Sequence, residues 1–250
     1  EFGRNGGNFG DWWEFKEISG KEWYGAYIAD SLTTVSTALK GELIWLYNVP
    51  ERKVKVISNG GSTSKTRKEV DPGAVKKGYG IHPLAPVVLY IGRLEYQKGP
   101  DILLDAIPHI LNHRSDVKIL FVGNGNMREH LENRVGEMNL SDSVRFLGYL
   151  PDNELLDLLN ACDIVCIPSR NEPFGLVLFE AWDAKKAVVA TDVGGLGENI
   201  DNLINGVKVF PYPESIAWGI NHIIGDPGTV KRLGRKGNKK LRKLTWDKQA

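Results

Sequence analysis

The stretch PVVLYIGRLEYQKG, residues 86–99, decides the architecture. It opens on a short, near-continuously apolar run. Such a run reads as a strand buried on both faces, as in a parallel sheet. It then breaks into a loop bounded by Gly92 and Gly99 that carries Arg93 and Lys98. Two fixed positive charges placed where a buried strand ends call for a negative partner.

Working outward from residue 84, the pattern repeats. PVVLYIG, VKILFVG, VRFLG, DIVCIP, AVVATDVGG and GVKVF are short apolar runs rich in Val and Ile, and the first five read as buried on both faces. Between them lie DILLDAIPHIL, MREHLENRVGEM, NELLDLLNA and FGLVLFEAWDA, with apolar residues at helical spacing. Strand and helix in alternation predict an α/β fold, a doubly wound, Rossmann-like parallel sheet. Residues 1–60 read as a smaller unit. SLTTVS predicts a strand, TALKGELIWLY a helix and KVKVISN a second strand, one βαβ unit that cannot cover a sheet alone and looks like the end of a preceding α/β domain. NGGSTSKTRKEVDPGAVKKG, 59–78, is polar and rich in Gly, Ser and Lys, so 61–83 reads as a linker or mobile loop.

Composition sets bounds. At 250 residues the chain holds one large domain or two small ones, and 42% apolar with 25% charged residues is ordinary for a soluble globular protein. A net charge of +1 argues against a large nucleic-acid surface, although KRLGRKGNKKLRKL, 231–244, is locally basic and reads as an amphipathic helix with a solvated face. Cys162 and Cys166 flank DIV in a strand-like run, where alternation puts both on one face. Their spacing is not a usual zinc pattern. They read as buried free thiols, which fit a reducing, cytoplasmic compartment. No apolar run is long enough to span a membrane, and no secretory signal is visible. The chain opens EFGRNGGNFG without Met, which a cut fragment or a cloning scar explains, so it reads as part of something longer. Trp12 and Trp13 fit sugar stacking, or an apolar patch that could drive self-association.

In an open parallel sheet, ligands bind beyond the carboxyl ends of the strands. Three βα loops fall on that edge: GRLEYQKG (92–99), PSRNEPFG (168–175) and TDVGGLGE (191–198). They are predicted to be neighbours in space. Each contains glycine and precedes a helix, whose N-terminal N–H groups suit a phosphate. Arg93 and Lys98 add formal charge, so the predicted ligand is a phosphate or diphosphate; the alternative is that both are solvated surface charges. The second loop adds Glu172, with Glu180 seven intervening residues later. Pro173 suits a first helical turn. That places Glu172 at the mouth of the helix and Glu180 about two turns in. One acid then reaches the reacting end of an elongated ligand while the other grips hydroxyls such as a ribose diol. Glu180 read as a plain surface residue fits its apolar neighbours LVLF and AW poorly.

GRLEYQKG, VRFLGYLPDNEL, PSRNEPFGLVLFEAW and VGGLGENI together resemble the donor-binding half of retaining glycosyltransferases with the GT-B fold, family 4 and the glycogen and starch synthases of family 5. ADSLTTVSTALKGEL and KVKVISNG resemble the end of that family's acceptor domain and its linker. The resemblance makes 1–60 a remnant of the N-terminal acceptor domain, 84–236 the nucleotide-sugar domain and 237–250 a return helix. It implies that Arg93 and Lys98 bind the diphosphate, that Glu172 lies near the donor sugar and that Glu180 holds the ribose. It puts the backbone of Gly194, Gly195 and Leu196 on sugar and phosphate, and Tyr149 and Leu150 by the base. Gly92, Gly175 and Leu176 complete the donor-binding set. It further implies retention through front-face attack, a UDP- or ADP-sugar donor that leans to glucose, a glycan or small-molecule acceptor, and no metal ion or other cofactor.

The chain departs from that pattern. The family's glycine-rich acceptor loop and donor-facing histidine are missing: His82, His109, His113, His130 and His222 all lie in the donor half. NGGSTSK replaces the usual N-G-I/V-D, and the sequence stops at LTWDKQA. An enzyme represented mainly by its donor domain, missing its acceptor domain, therefore stands beside a nucleotide-sugar-binding module or regulatory subunit without transfer activity. A dinucleotide oxidoreductase rests only on VGNGNM, where the third glycine of the fingerprint is absent.

Overall fold

The computed structural model describes residues 12–60, 66 and 68–244, with side chains from Lys16 onward. The stacking or patch role considered for the Trp12 and Trp13 side chains therefore lies outside the described residues.

The main body is one six-stranded sheet of β3 (Val87–Ile91), β4 (Lys118–Val122), β5 (Val144–Gly148), β6 (Ile164–Ile167), β7 (Ala187–Thr191) and β8 (Val207–Val209). Every pairing is parallel and the spatial order is β5-β4-β3-β6-β7-β8. Alternate residues feed two cores. Val88, Tyr90, Ile119, Phe121, Ile164 and Cys166 point into one, with helices α4 (Pro100–His113), α5 (Arg128–Glu137) and α9 (Pro213–Ile224). Val87, Leu89, Leu120, Val122, Val165 and Ile167 point into the other, with α6 (Asp152–Ala161), α7 (Leu176–Asp183) and α8 (Gly194–Asn199). Burial on both faces is why these strands have no polar alternation. The two edge strands are the exceptions: in β5 Arg145 is exposed, its guanidinium on the Tyr79 carbonyl, and in β8 the half-buried Lys208 stands between Val207 and Val209.

The alternation argument fails for the cysteines. Cys162 caps α6 two residues before β6 begins, so strand periodicity does not reach it. Cys162 joins one core and Cys166 the other, on opposite faces of the sheet. Both are buried free thiols. Burial pushes the Cys162 thiol up to about 12 and the Cys166 thiol higher still.

The first unit holds α1 (Trp12–Ile28), which the sequence reading left without an assignment, and then β1 (Leu32–Thr34), α2 (Thr37–Tyr47) and β2 (Val54–Val56). β1 and β2 pair in parallel, completing the expected βαβ unit. Its core is small: Ala26, Val49 and Val54 are buried, whereas Trp23, Tyr24, Tyr27, Ile28 and Trp45 are exposed. The segment read as a linker contains α3 (Pro72–Gly78), nucleated by the Asp71 cap and by proline in the first turn. Thr66 is pinned to the main body, its N–H and hydroxyl donating to Asp183 Oδ2 at 3.0 and 2.9 Å. Helix α10 (Pro227–Leu241) lies across α7 and β7 with Leu233, Asn238 and Leu241 buried, so the basic tail is an amphipathic helix docked on one side. Of the expected helix at 237–250, residues 237–241 are the end of α10, and 245–250 lie outside the described residues. No helix among the described residues is long and apolar enough to cross a membrane.

Candidate functional site

In this strand order the chain reverses direction between β3 and β6, and the crevice beyond their carboxyl ends is where such sheets bind ligands. The first loop leaves β3 and the second leaves β6, so they flank that crevice. The third leaves β7, the next strand over.

The loops are stitched together, as expected. Arg170 N donates to Gln97 O at 2.8 Å. Thr191 Oγ1 donates to Ser169 O at 2.6 Å. Gly195 N donates to Glu172 O at 2.8 Å. Gly194 has φ 46°, and a Cβ there would lie 2.1 Å from Glu172 O, so the third loop sits directly on the second and this position requires glycine.

The charged groups hold one another. Lys98, at the end of a 3-10 turn (Tyr96–Lys98), donates to Glu172 Oε2 at 2.7 Å. Both side chains are mostly buried, 23% and 13% exposed, so the pair is only weakly screened. Arg93 is more open and holds Glu95 at 2.6 Å. Its backbone is fixed by Tyr90 OH, which donates to Arg93 O at 2.7 Å, and by Leu94 N donating to Asn124 O at 2.9 Å. The VGNGNM stretch thus braces the first loop.

Sequence reasoning missed Arg170. Its guanidinium meets Asp101 through two bonds of 2.8 and 2.6 Å, donates to Tyr96 O at 2.7 Å and stacks 3.8 Å over the Tyr96 ring. A bidentate pair of this kind fixes geometry as well as charge. It clamps the second loop to the turn that carries Lys98. The signal was present in PSRNEPFG, but its partner Asp101 lies far off in the chain.

The carboxylates are placed differently from the expectation. Pro173 does not open the helix; α7 begins at Leu176, after Gly175 in the left-handed region. Phe174 is buried between, edge-on to Phe179 at 4.8 Å. Glu172 therefore stands in the loop, and Glu180 is little more than one turn into α7 rather than two. Glu180 is exposed, yet partial desolvation by the protein around it pushes its carboxyl pKa up. No hydrogen bond or ion pair reaches its carboxylate from the described residues.

The other candidates are spread along the same edge. Gly92 follows β3, and Gly175 and Leu176 open α7, with Leu176 59% exposed. Gly194, Gly195 and Leu196 form the first turn of α8, where the Leu196 side chain is wholly buried, so only backbone is presented there. Tyr149 and Leu150 follow β5, two strands from the crevice; Tyr149 is 77% exposed and Leu150 is buried in the core. Among the described residues no group of three or more His, Cys, Asp and Glu side chains is arranged to hold a metal ion.

A sheet of this order is a doubly wound α/β domain, with charged and glycine-rich loops gathered at the edge where such sheets take ligands. Residues 74–240 match the family model described as glycosyl transferases group 1, and the chain belongs to that family. It is 36% identical over 252 aligned residues to an uncharacterized glycosyltransferase of Methanocaldococcus jannaschii, covering 99% of this chain and 64% of that one. It is 30% identical to a glycogen synthase of Mycobacterium tuberculosis, over 85% of this chain and 50% of that one. The chain thus spans between half and two thirds of the length of these relatives. HepE of Anabaena, solved in complex with UDP and glucose, superimposes with a TM-score of 0.79 at 26% identity, over 87% of this chain and 59% of that one. Sucrose-phosphate synthase of Thermosynechococcus elongatus gives 0.74 at 26%, over 88% and 56%. The fold is that of GT-B glycosyltransferases.

Proposed function

We propose that this chain is the donor-binding part of a retaining glycosyltransferase that moves a hexosyl group, glucose for preference, from a nucleoside diphosphate sugar to a hydroxyl of a glycan or small molecule. The observation that carries the reading is the meeting of Lys98, Glu172 and the Gly194–Leu196 backbone at the switch point. HepE of Anabaena was solved with UDP and glucose, and the Mycobacterium tuberculosis relative is a glycogen synthase; both support a nucleotide-sugar donor and a lean towards glucose.

On this reading Arg93 and Lys98 face a leaving diphosphate that becomes more negative as the glycosidic bond breaks. Fixed positive charge at that place lowers the barrier without reorganising at the moment of reaction. Lys98 exchanges part of its contact with Glu172 for the diphosphate. Glu172 then stands beside the donor sugar, where a carboxylate stabilises an oxocarbenium-like centre during front-face attack. Glu180 takes the ribose diol. Neither a metal ion nor a further cofactor is invoked. The two buried free thiols fit a reducing cytoplasm.

The test is calorimetric titration of the chain with UDP, ADP, UDP-glucose and uridine, with Arg93→Ala and Lys98→Ala alongside. The variants should weaken nucleoside diphosphate binding and leave uridine binding nearly unchanged. In the complete enzyme, loss of one such donor should cost on the order of 10²–10³ in turnover, about 2.7–4 kcal/mol. Equal loss of uridine and UDP affinity in Arg93→Ala would defeat the assignment.

A further inference from the structure

The third loop ends in a contact with the first unit that the donor-site reading does not use. A helix leaves its first N–H groups without internal partners. In α2 those of Thr37, Ala38 and Leu39 all have partners, and the internal ladder begins at Lys40. Ser36 Oγ accepts from Leu39 N at 3.1 Å, and Ser36 O accepts from Lys40 N at 3.1 Å. The first two, Thr37 N and Ala38 N, donate across the molecule to Glu198, to Oε2 at 3.1 Å and Oε1 at 2.5 Å. A carboxylate at this place also meets the positive end of the helix dipole. The cap of α2 is therefore completed by a residue some 160 positions away.

Glu198 sits in α8, whose first turn is the Gly194–Leu196 segment. At that end, Gly195 N is bonded to Glu172 O, and Glu172 holds Lys98. Asn199 Nδ2 donates to Gly195 O at 2.7 Å, a side-chain tie along the helix. One short strut thus has the donor loop at its first turn and the cap of α2 at its fifth residue.

We infer that Glu198 is a positioning residue that couples occupancy of the donor site to docking of the first unit. This rests on the donor-site reading above. When a diphosphate recruits Lys98 away from Glu172, the loop under Gly194 and Gly195 shifts, and α8 transmits the shift to the N-terminus of α2. Because coupling between two sites is reciprocal, whatever the donor adds to the strength of the cap, the cap adds to donor affinity.

The experiment is amide hydrogen exchange at Thr37 and Ala38, with and without UDP, beside UDP titration, in the unmodified chain, Glu198→Ala and Glu198→Gln. First-turn amides ordinarily exchange fast, so protection there reports the cap itself. The unmodified chain should protect both amides, and UDP should slow them further by about fivefold, the low end of common coupling. Glu198→Ala should lose the protection and its UDP response, and should bind UDP more weakly by that same factor. Glu198→Gln keeps one acceptor oxygen and the side-chain shape, so an intermediate result is expected even if the alanine variant folds poorly. A UDP response that survives in Glu198→Ala, or UDP affinity unchanged in both variants, overturns the coupling. If UDP does not bind the unmodified chain while the amides remain protected through Glu198, the donor-site reading fails and the coupling falls with it, leaving Glu198 as a structural cap.

Discussion

Glu172 and Glu180 differ in what they touch, and that separates their variants. Glu172 neutralises Lys98 at 2.7 Å. Glu172→Gln releases that lysine, so nucleoside diphosphate affinity should hold or rise while turnover of the complete enzyme falls. On the proposed reading Glu180→Gln removes a charged acceptor for ribose hydroxyls, each such bond being worth about 1.5–3 kcal/mol, and should weaken nucleotide binding. The same variant has a stability signature. Desolvation raises the Glu180 pKa from its ordinary value. The folded protein therefore resists ionising this group, and a penalty grows as pH rises from the ordinary carboxylate value through the raised one. Glu180→Gln should melt higher than the unmodified chain at pH 7, with the difference vanishing near pH 4. Melting curves across pH test the sign. If Glu172→Gln loses nucleotide affinity and Glu180→Gln does not, the roles are reversed.

Helix α10 carries two opposed effects on its two faces. On the inner face a Cβ at Gly237 would fall 2.1 Å from Trp182 Cδ1, and Trp182 is held by its indole N–H on Asn205 O at 3.0 Å. Gly237→Ala gains about 1 kcal/mol of helix propensity but overpacks a locked ring, which typically costs about 1–3 kcal/mol. Net destabilisation by denaturant titration is expected; a stabilised variant would show that α10 does not sit so close. On the outer face Lys231, Arg235 and Lys239 follow at i, i+4 spacing without an acid between them. Like charges at this spacing repel, and opposite charges attract by about 0.2–0.5 kcal/mol per pair. Arg235→Glu replaces two repulsive pairs by attractive ones and should stabilise by about 1–2 kcal/mol, an effect that should shrink in high salt.

The two thiols report on the whole main body, because Cys162 and Cys166 sit in the cores on opposite faces of one sheet. Burial holds the Cys162 thiol near 12 and Cys166 higher, so almost no thiolate exists at pH 8 and reagent access is closed. Labelling should be negligible in the native protein and should follow urea unfolding, with both residues reacting in step. Fast labelling of one thiol while circular dichroism stays native would reveal local opening on that face. The first unit should behave otherwise, since Trp45 is 75% exposed and its core among the described residues is Ala26, Val49 and Val54. Its amides should exchange ahead of those in β3 and β6, apart from the two held by Glu198.

Local sequence carried the strands and most of the helices, because burial on both faces leaves an apolar run and burial on one leaves helical spacing. It also carried the choice of edge: in a parallel βα alternation every βα loop falls at the carboxyl ends, so Arg93, Glu172 and Gly194 had to share a side. Helices α3 and α9 were legible too, through Asp71 before Pro72 and the apolar spacing of PESIAWGINHII, but were not read. The remainder needed the tertiary structure. The start of α7 depends on Phe174 packing against Phe179 and on the third loop seated on Glu172, not on the propensity of Pro173. The faces of the two cysteines depend on where β6 begins. The pairing of Lys98 with Glu172, of Arg170 with Asp101 and of Glu198 with the first turn of α2 joins residues 74, 69 and about 160 positions apart. Periodicity speaks only for neighbours within a few turns, whereas an ion pair or a borrowed cap is made by whatever side chain the folded backbone brings within about 3 Å.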